Sequence, residues 1–292
     1  MSNDPILALI AQEQLPASYR DIVTTYWTPL ATDIARRAAS RKPLIVGVNG
    51  GQGTGKSTMC MFLEVLLKQR GLRAVTLGLD DLYLPRAERE KLAAAVHPLF
   101  VTRGVPGTHT PLEGIRIIED VLAGRSFAMP RFDKGKDDRK PEGVTITGPV
   151  DVLFFEGWCV GARPQDDAAL AKPVNALEAQ EDADGLWRGL ANRFLAEDYA
   201  RLFGLIDLLV MLKVESFAAV LANRKHQEAK LRTARPDAPV LMSDAEIDRF
   251  CAHYQRLTNH MLDEMPARAD LLFPIGPDHR PLALPSQLQT RH

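Results

Sequence analysis

The sequence predicts a three-layer α/β fold, in which a mostly parallel β-sheet lies between two layers of helices. Five short apolar runs alternate with amphipathic helical segments along the chain, and this alternation is typical of βαβ units with right-handed crossovers. The first run leads directly into a glycine-rich turn at the start of a helix. The composition, 46% hydrophobic and 25% charged over 292 residues, is that of a globular protein with a large core.

The strands are predicted from continuous apolar runs, which indicate strands covered on both faces. These runs occupy residues 44–48, 74–79, 150–155, 208–214 and 271–275. The helices are predicted from apolar residues spaced three and four apart, as at Met59, Phe62 and Leu66. The predicted helices cover residues 22–34, 54–70, 112–123, 186–203, 216–231 and 244–262.

A single domain is expected over residues 1–292, because the length suits one domain with insertions and the sequence has no internal repeat. Segments rich in Gly and Pro, or in Ala and acidic residues, do not fit the alternation and are expected to form loops. The expected parts are a helical N-terminal extension at 1–42, loop insertions at 85–111 and 162–185, a lid at 224–242 and a C-terminal tail at 276–292.

Charge and cysteine content exclude several classes of protein. The formal net charge is -1, which argues against a general nucleic-acid-binding protein. Cys60, Cys159 and Cys251 are far apart in the sequence, so neither a disulfide framework nor a thiolate zinc site is expected, and a reducing cytoplasm is the predicted location. The longest apolar stretch, 202–212, contains an Asp and is shorter than the ~20 residues of a membrane span. The oligomeric state is left open.

A phosphate-binding loop is predicted between the first strand and the next helix. The sequence GGQGTGKS, from Gly50 to Ser57, matches GxxxxGK[ST] in the strand–turn–helix context that this motif requires. Its backbone N–H groups can form an anion-binding nest, to which the helix N-terminus adds a positive dipole end. Lys56 is expected to reach the β- and γ-phosphates of a nucleotide, and Ser57 to coordinate Mg²⁺. These features predict a P-loop NTPase fold; a glycine-rich turn without a ligand is the alternative.

Carboxylates are expected beside this loop, because ligands of parallel sheets bind at the carboxyl ends of the strands. Asp80 follows the second strand and is the expected catalytic base, with Mg²⁺ binding through water as its other candidate role. Asp81 is expected to cap a helix that begins near Pro85. Glu156 follows the third apolar run and is typical of a Walker-B acid that holds Mg²⁺ or water near Ser57. A solvated charge at a strand end is the alternative for Glu156.

A GTP-dependent switch is not expected from the sequence. Guanine-reading proteins carry an NKxD motif after a late strand, and this chain has none. Its DxxG string, at residues 182–185, lies in an acidic loop rather than after a strand.

Several motifs together make the chain resemble the D-glycerate 3-kinases, within the uridine kinase, phosphoribulokinase and pantothenate kinase group. The resemblance spans roughly residues 43–280. In order, the motifs are GGQGTGKST, LDDLYL, RGVPGTH, PRFDKGKDDR, VLFFEGWCVG, NRKHQEAKLR and MSDAEI. RGVPGTH, and PRFDK followed by FEGW, are more specific to this branch than to P-loop proteins in general.

The resemblance implies roles for individual residues. Asp80 would be the base, and the residues that would bind ATP phosphates and Mg²⁺ are Gly50, Gly51, Gln52, Gly53, Thr54, Gly55, Lys56, Ser57 and Thr58. The implied acceptor pocket comprises Asp80, Tyr83, Arg103, His109, Arg131, Asp133 and Lys134. Cationic donors suit glycerate, because its carboxylate pairs well with Arg. Where the family usually reads GTHD, this chain has Thr110, which leaves the acceptor open to another hydroxy acid or a polyol.

One further segment supports two interpretations. Arg224, Glu228 and Arg232 lie four apart on one helix face, as in a ladder of ion pairs within a helix. The resemblance instead implies a helical lid, in which Arg224 and Arg232 reach over the phosphoryl group during transfer and the loop 233–242 is its flexible end.

The expected function is therefore that of a kinase that uses ATP and Mg²⁺ to phosphorylate a small hydroxy acid, D-glycerate, giving 3-phosphoglycerate. The alternative within the group is a kinase of a nucleoside, pantothenate or another hydroxy acid. The alternative from another class is a protein without catalytic activity that uses ATP binding as a regulatory switch.

Overall fold

A computed structural model describes residues 4–234 and 242–289. Nine strands are assigned within these residues. In chain order they are β1 (Leu44–Gly50), β2 (Ala74–Gly78), β3 (Phe127–Met129), β4 (Phe132–Asp133), β5 (Asp138–Arg139), β6 (Val144–Ile146), β7 (Val152–Gly157), β8 (Leu208–Lys213) and β9 (Leu271–Pro274).

The α-helices account for most of the remaining regular structure. In chain order they are α1 (Pro5–Gln12), α2 (Tyr19–Ile22), α3 (Thr28–Ser40), α4 (Lys56–Lys68), α5 (Arg86–Ala95), α6 (Pro111–Leu122), α7 (Asp167–Leu170), α8 (Ala176–Glu181), α9 (Leu186–Phe194), α10 (Ala200–Phe203), α11 (Phe217–Ala234) and α12 (Asp244–Glu264). Short π-helical turns occupy Val23–Trp27 and Leu195–Tyr199, and 3₁₀ turns occupy Leu79–Leu82, Pro98–Val101, Met265–Ala267 and Ser286–Leu288.

The central sheet has five parallel strands in the order β2-β7-β1-β8-β9. Both of its faces are covered, since alternate residues of one strand enter different cores: Val46 packs into one and Ile45 into the other. The first core includes residues of α1, α3 and α4, and the second includes residues of α6, α10 and α12. The predicted three-layer fold with its parallel sheet is thereby confirmed. Two antiparallel pairs, β3 with β6 and β4 with β5, stand apart from the sheet.

The five predicted strands are all present, with ends that differ by one or two residues. The segments 85–111 and 162–185 are not loops throughout, and the helix expected to begin near Pro85 is present as α5. The first contains α5 and the second contains α7 and α8. Apolar periodicity could not reveal α5, because its one buried residue is Arg89. The predicted helix at 186–203 is interrupted by a π-helical turn, in which Glu197 has non-helical dihedral angles.

The N-terminal extension is part of the core rather than an appendage. Apolar residues of α1, α3 and the π-helical turn between α2 and α3 pack into the same core as the sheet. Trp27, 3% exposed, anchors this layer. Its ring meets Phe273 of β9 edge-on, with centroids 5.5 Å apart. Among the described residues, no helix is long and apolar enough to cross a membrane.

Replacing Trp27 with Ala should lower the free energy of unfolding by about 3–5 kcal/mol, because a large buried ring is lost and a cavity remains. Urea denaturation followed by circular dichroism measures this change. The control is Thr25→Ala, at an exposed position of the same turn, which should change stability by less than about 0.5 kcal/mol. If Trp27→Ala lowered the free energy of unfolding as little as Thr25→Ala, the extension would not stabilise the core.

Candidate active site

The loop that joins β1 to α4 has the conformation of a phosphate-binding loop. β1 ends at Gly50 and α4 begins at Lys56. Gly53 and Gly55 have φ angles of +75° and +88°, in the left-handed region that favours glycine. A loop with this conformation at a helix N-terminus is a ready anion site. Gly53 also packs closely against α11, since a Cβ there would lie 2.8 Å from the Cβ of Asn223.

Lys56 is the charged residue of this loop. Its Nζ donates a hydrogen bond to the carbonyl oxygen of Gly51, at 3.1 Å. Burial lowers the pKa of Lys56, and the nearby carboxylates of Glu156 and Asp80 oppose that change. The ammonium group therefore faces two carboxylates, which come from the ends of different strands.

Ser57 and Glu156 meet beside the loop. The Ser57 hydroxyl donates a hydrogen bond of 2.6 Å to Oε1 of Glu156. The position of Glu156 follows from the sheet, since β7 pairs it with Val48 of β1 and with Gly78 of β2. The contact brings one hydroxyl oxygen and one carboxylate together at the phosphate loop, which are the oxygen ligands that Mg²⁺ prefers.

Asp80 follows β2 and forms an ion pair with Lys134, with Oδ2 and Nζ 2.6 Å apart. Burial raises the pKa of Asp80, but the Lys134 ammonium and a hydrogen bond from Tyr83 outweigh it and bring the pKa to about 2. The same pair raises the pKa of Lys134. At neutral pH Asp80 is therefore a carboxylate and Lys134 a cation.

Arg103 is a second cation on this side of the site. Its guanidinium lies between two aromatic rings, 5.6 Å from the centroid of Phe132 and 5.8 Å from that of Phe250. Such contacts are favourable for Arg. One of its terminal nitrogens pairs with the carboxylate of Asp137, and its carbonyl oxygen accepts a hydrogen bond from the Tyr254 hydroxyl, at 2.9 Å.

A cleft of about 1060 Å³ joins these groups. It is large enough for a nucleotide and a small acceptor together. Ten of the predicted site residues that line it carry polar or charged side chains: Gln52, Lys56, Ser57, Thr58, Asp80, Tyr83, Arg103, Lys134, Glu156 and Arg224. The structure thus places the phosphate loop, both carboxylates and three other basic residues around one space.

Three residues of the implied acceptor pocket do not line this cleft. Arg131 pairs with Asp81 at 2.7 Å, and Asp133 accepts backbone hydrogen bonds from the turn that follows it. His109 stacks on Tyr83, with ring centroids 4.4 Å apart. These residues support groups that reach the cleft, and their direct contact with an acceptor stays a prediction.

Asp81 does not cap α5, so that expectation was wrong. Its carboxylate pairs with Arg131 and accepts a hydrogen bond of 3.0 Å from the backbone N–H of Phe132. The N-cap of α5 is Pro85, and no side chain caps this helix end. Asp81 therefore fastens the segment that carries Lys134 to the end of β2.

On α11, Arg224 reaches the cleft and Arg232 does not line it. Arg224 pairs with Glu228 at 2.7 Å, as the ion-pair interpretation expected. Glu228 is buried and accepts a hydrogen bond from the N–H of Met242, while Arg232 donates to the carbonyl oxygen of Met242. Most of the predicted flexible end of the lid, 233–242, lies outside the described residues.

Several cleft residues were not predicted as site residues. Asp137, Trp158, Phe250 and Tyr254 line the cleft, and Trp158 donates from its indole to the carbonyl oxygen of Gly104 at 3.0 Å. Phe250 and Tyr254 lie four apart on α12, and this aromatic pair was the available signal. It is the same pattern that any buried helix face shows, so it could not single these residues out.

The chain is similar to several known kinases. An uncharacterized kinase of Schizosaccharomyces pombe is 32% identical over 225 residues, which cover 73% of this chain and 79% of that protein. The chloroplastic D-glycerate 3-kinase of Arabidopsis thaliana is 28% identical over 225 residues, and the match covers 73% of this chain but 46% of that protein. The solved structure of D-glycerate 3-kinase from Cryptococcus neoformans has a TM-score of 0.72 at 25% identity, with coverage of 90% of this chain and 97% of that one. No family model matches the sequence.

The buried imidazole of His109 should make the free energy of unfolding depend on pH. Burial lowers its pKa to about 3, whereas an unfolded chain would have the ordinary value near 6.5. The stabilisation is complete above pH 6.5 and is lost as pH falls toward 3, because only the unfolded state takes up the proton. Between pH 7 and pH 4 the wild type should lose about 3 kcal/mol more unfolding free energy than His109→Asn. Urea titrations at both pH values measure it; parallel losses in the two proteins would contradict the burial of a neutral imidazole.

Proposed function

This chain belongs to the D-glycerate 3-kinase family of P-loop kinases, and we propose that it transfers the γ-phosphoryl group of ATP to a hydroxyl of D-glycerate, giving 3-phosphoglycerate. The observation that carries this proposal is the pairing of Asp80 with Lys134 in the cleft that Lys56 and Arg103 also line. A carboxylate base stands there beside cations that are not part of the phosphate loop. This arrangement suits an acceptor that carries both a hydroxyl and a negative charge.

The proposed reaction uses the chain's own groups at each point. The acceptor carboxylate would bind Arg103 and Lys134, and the hydroxyl to be phosphorylated would donate a hydrogen bond to Asp80. The hydroxyl oxygen attacks the γ-phosphorus, the bond to the β–γ bridging oxygen breaks, ADP leaves, and the hydroxyl proton passes to Asp80. Lys56 and Arg224 would offset the negative charge on the phosphoryl oxygens. Because the acceptor carboxylate draws Lys134 toward itself, the pKa of Asp80 should rise on binding, which makes it a stronger base.

The site fits Mg²⁺ as the accompanying ion. The Ser57 hydroxyl and the Glu156 carboxylate are already in contact, and Asp80 is the other carboxylate beside Lys56. Mg²⁺ commonly binds through one or two carboxylates together with waters and substrate phosphates. When bound, it would neutralise charge on the β- and γ-phosphates.

The Thr110 departure from the family pattern does not count against glycerate. Thr110 precedes α6, and its hydroxyl lies 2.8 Å from the carboxylate of Glu113 and 2.7 Å from a guanidinium nitrogen of Arg139. It is not among the residues that line the cleft. The Thr110 side chain therefore supports the start of α6 through Glu113 and Arg139.

A nucleoside is a poorer fit to this space. Its base needs an open aromatic face on which to stack. Tyr83, Tyr254 and Trp158 are only 2%, 3% and 4% exposed, and the rings of Phe132 and Phe250 face the Arg103 guanidinium. The aromatic residues in and beside the cleft are thus engaged within the protein.

An acceptor screen tests the proposal directly. With ATP and Mg²⁺, D-glycerate should raise ADP release well above background, whereas glycerol, uridine and pantothenate should not. Glycerol and uridine have no carboxylate, and the carboxylate of pantothenate lies far from its hydroxyl groups. A coupled ADP assay with mass spectrometry of the product measures it. Phosphorylation of uridine but not glycerate would overturn the substrate assignment. ADP release that no acceptor changes would favour an ATP-binding switch.

The base is tested by Asp80→Asn, which removes the proton acceptor at nearly constant volume. We expect kcat to fall by roughly 10²- to 10⁴-fold, while binding of a fluorescent ATP analogue to the phosphate loop remains. Glu142→Gln, at an exposed position outside the cleft, is the matched control and should retain full activity. Full activity of Asp80→Asn would remove this carboxylate from the mechanism.

A further inference from the structure

Among the described residues, Arg89 is the largest of the side chains that are less than 2% exposed. It is 1% exposed and is the one buried residue of α5. A buried guanidinium is costly unless nearly all of its N–H groups are paired. Its partners therefore show which parts of the structure depend on it.

The guanidinium of Arg89 bonds to three segments that are distant in sequence. Nε donates to the carbonyl oxygen of Leu84 at 3.3 Å, and Nη1 donates to that of Val101 at 2.6 Å. Nη2 donates to the carbonyl oxygen of Asp137 at 2.7 Å and lies 3.0 Å from its Oδ2. One side chain thus cross-links the three segments.

Each of these segments carries, close in sequence, a side chain that lines the cleft outside the phosphate loop. Tyr83 directly precedes Leu84, Arg103 is two residues after Val101, and Lys134 is three residues before Asp137. All three side chains line the cleft. None of the atoms bonded to Arg89 belongs to the phosphate loop.

Asp137 links this anchor to the cleft. Its φ angle of +54° is in the left-handed region, which a residue other than glycine adopts at a cost unless its surroundings hold it there. Its carboxylate pairs with Arg89 on the buried side and with Arg103 on the cleft side. The turn from Lys134 to Asp137 is therefore held at its end by two guanidinium groups.

We propose that Arg89 and Asp137 are positioning residues for the acceptor. Together they set Arg103 and the turn that carries Lys134 at fixed places relative to Asp80, without touching either substrate's reacting atoms. This inference rests on the proposed function only for the identity of the acceptor. It requires that a defect in the pair weakens acceptor binding and leaves ATP binding unchanged.

The test compares Asp137→Asn and Arg89→Lys with the wild type and with Lys91→Met, an exposed position on the same helix. Asp137→Asn keeps the main-chain bond to Arg89 but loses both ion pairs, and Arg89→Lys keeps the charge but not the forked donors. Both variants should raise the KM for the acceptor by about tenfold or more, since small misplacements of binding groups have large effects. Their affinity for a fluorescent ATP analogue should stay within about twofold of wild type, as should every property of Lys91→Met.

Hydrogen exchange gives a second readout that needs no acceptor. In the ligand-free protein, the backbone amides of residues 134–137 should exchange faster in both variants than in wild type, while those of residues 51–57 should not change. Asp137 is 33% exposed, so Asp137→Asn should fold even if Arg89→Lys does not.

The outcomes separate this inference from the proposed function. Unchanged exchange at 134–137 in Asp137→Asn, or a parallel loss of acceptor and ATP binding, would overturn the positioning role. Faster exchange confined to 134–137, in a protein whose wild type does not phosphorylate glycerate, would support the positioning role and refute only the substrate. In that case the KM comparison is made with whichever acceptor the wild type uses.

Discussion

The parallel pairing of β1, β2 and β7 determines where the active-site groups can lie. Glu156 of β7 is in register with Val48 on one side and Gly78 on the other. The phosphate loop begins as β1 ends, and Asp80 follows β2 by two residues. The loop, Asp80 and Glu156 therefore lie at one edge of the sheet. A slip of one residue in β7 would move Glu156 to the other face and separate it from Ser57.

Charge pairing organises the remainder of the site. Lys134 pairs with Asp80, Arg103 with Asp137 and Arg224 with Glu228. These pairs keep cations in place beside a cleft that would otherwise hold unpaired charge. In the proposed reaction, ATP and an anionic acceptor would compete for the same cations, and substrate binding would exchange their partners.

The sequence was informative where chemistry depends on local order along the chain. The phosphate loop, Asp80 and Glu156 were predicted because each lies at or just after the end of a predicted strand, and the structure places all three around one cleft. The sequence was uninformative where the partner of a side chain lies many residues away along the chain. Asp81 was expected to cap a helix but binds Arg131, 50 residues later. Arg89 was not singled out, because its partner Asp137 is 48 residues away in the sequence.

The central claim is that the hydroxyl to be phosphorylated lies against Asp80 while the acceptor carboxylate lies on Arg103 and Lys134. A crystal structure with a non-hydrolysable ATP analogue, Mg²⁺ and D-glycerate tests it most directly. We expect a glycerate hydroxyl oxygen within roughly 2.6–3.2 Å of an Asp80 oxygen, with the carboxylate in contact with both cations. Glycerate bound elsewhere, or bound with its carboxylate toward Asp80, would contradict the proposed mechanism.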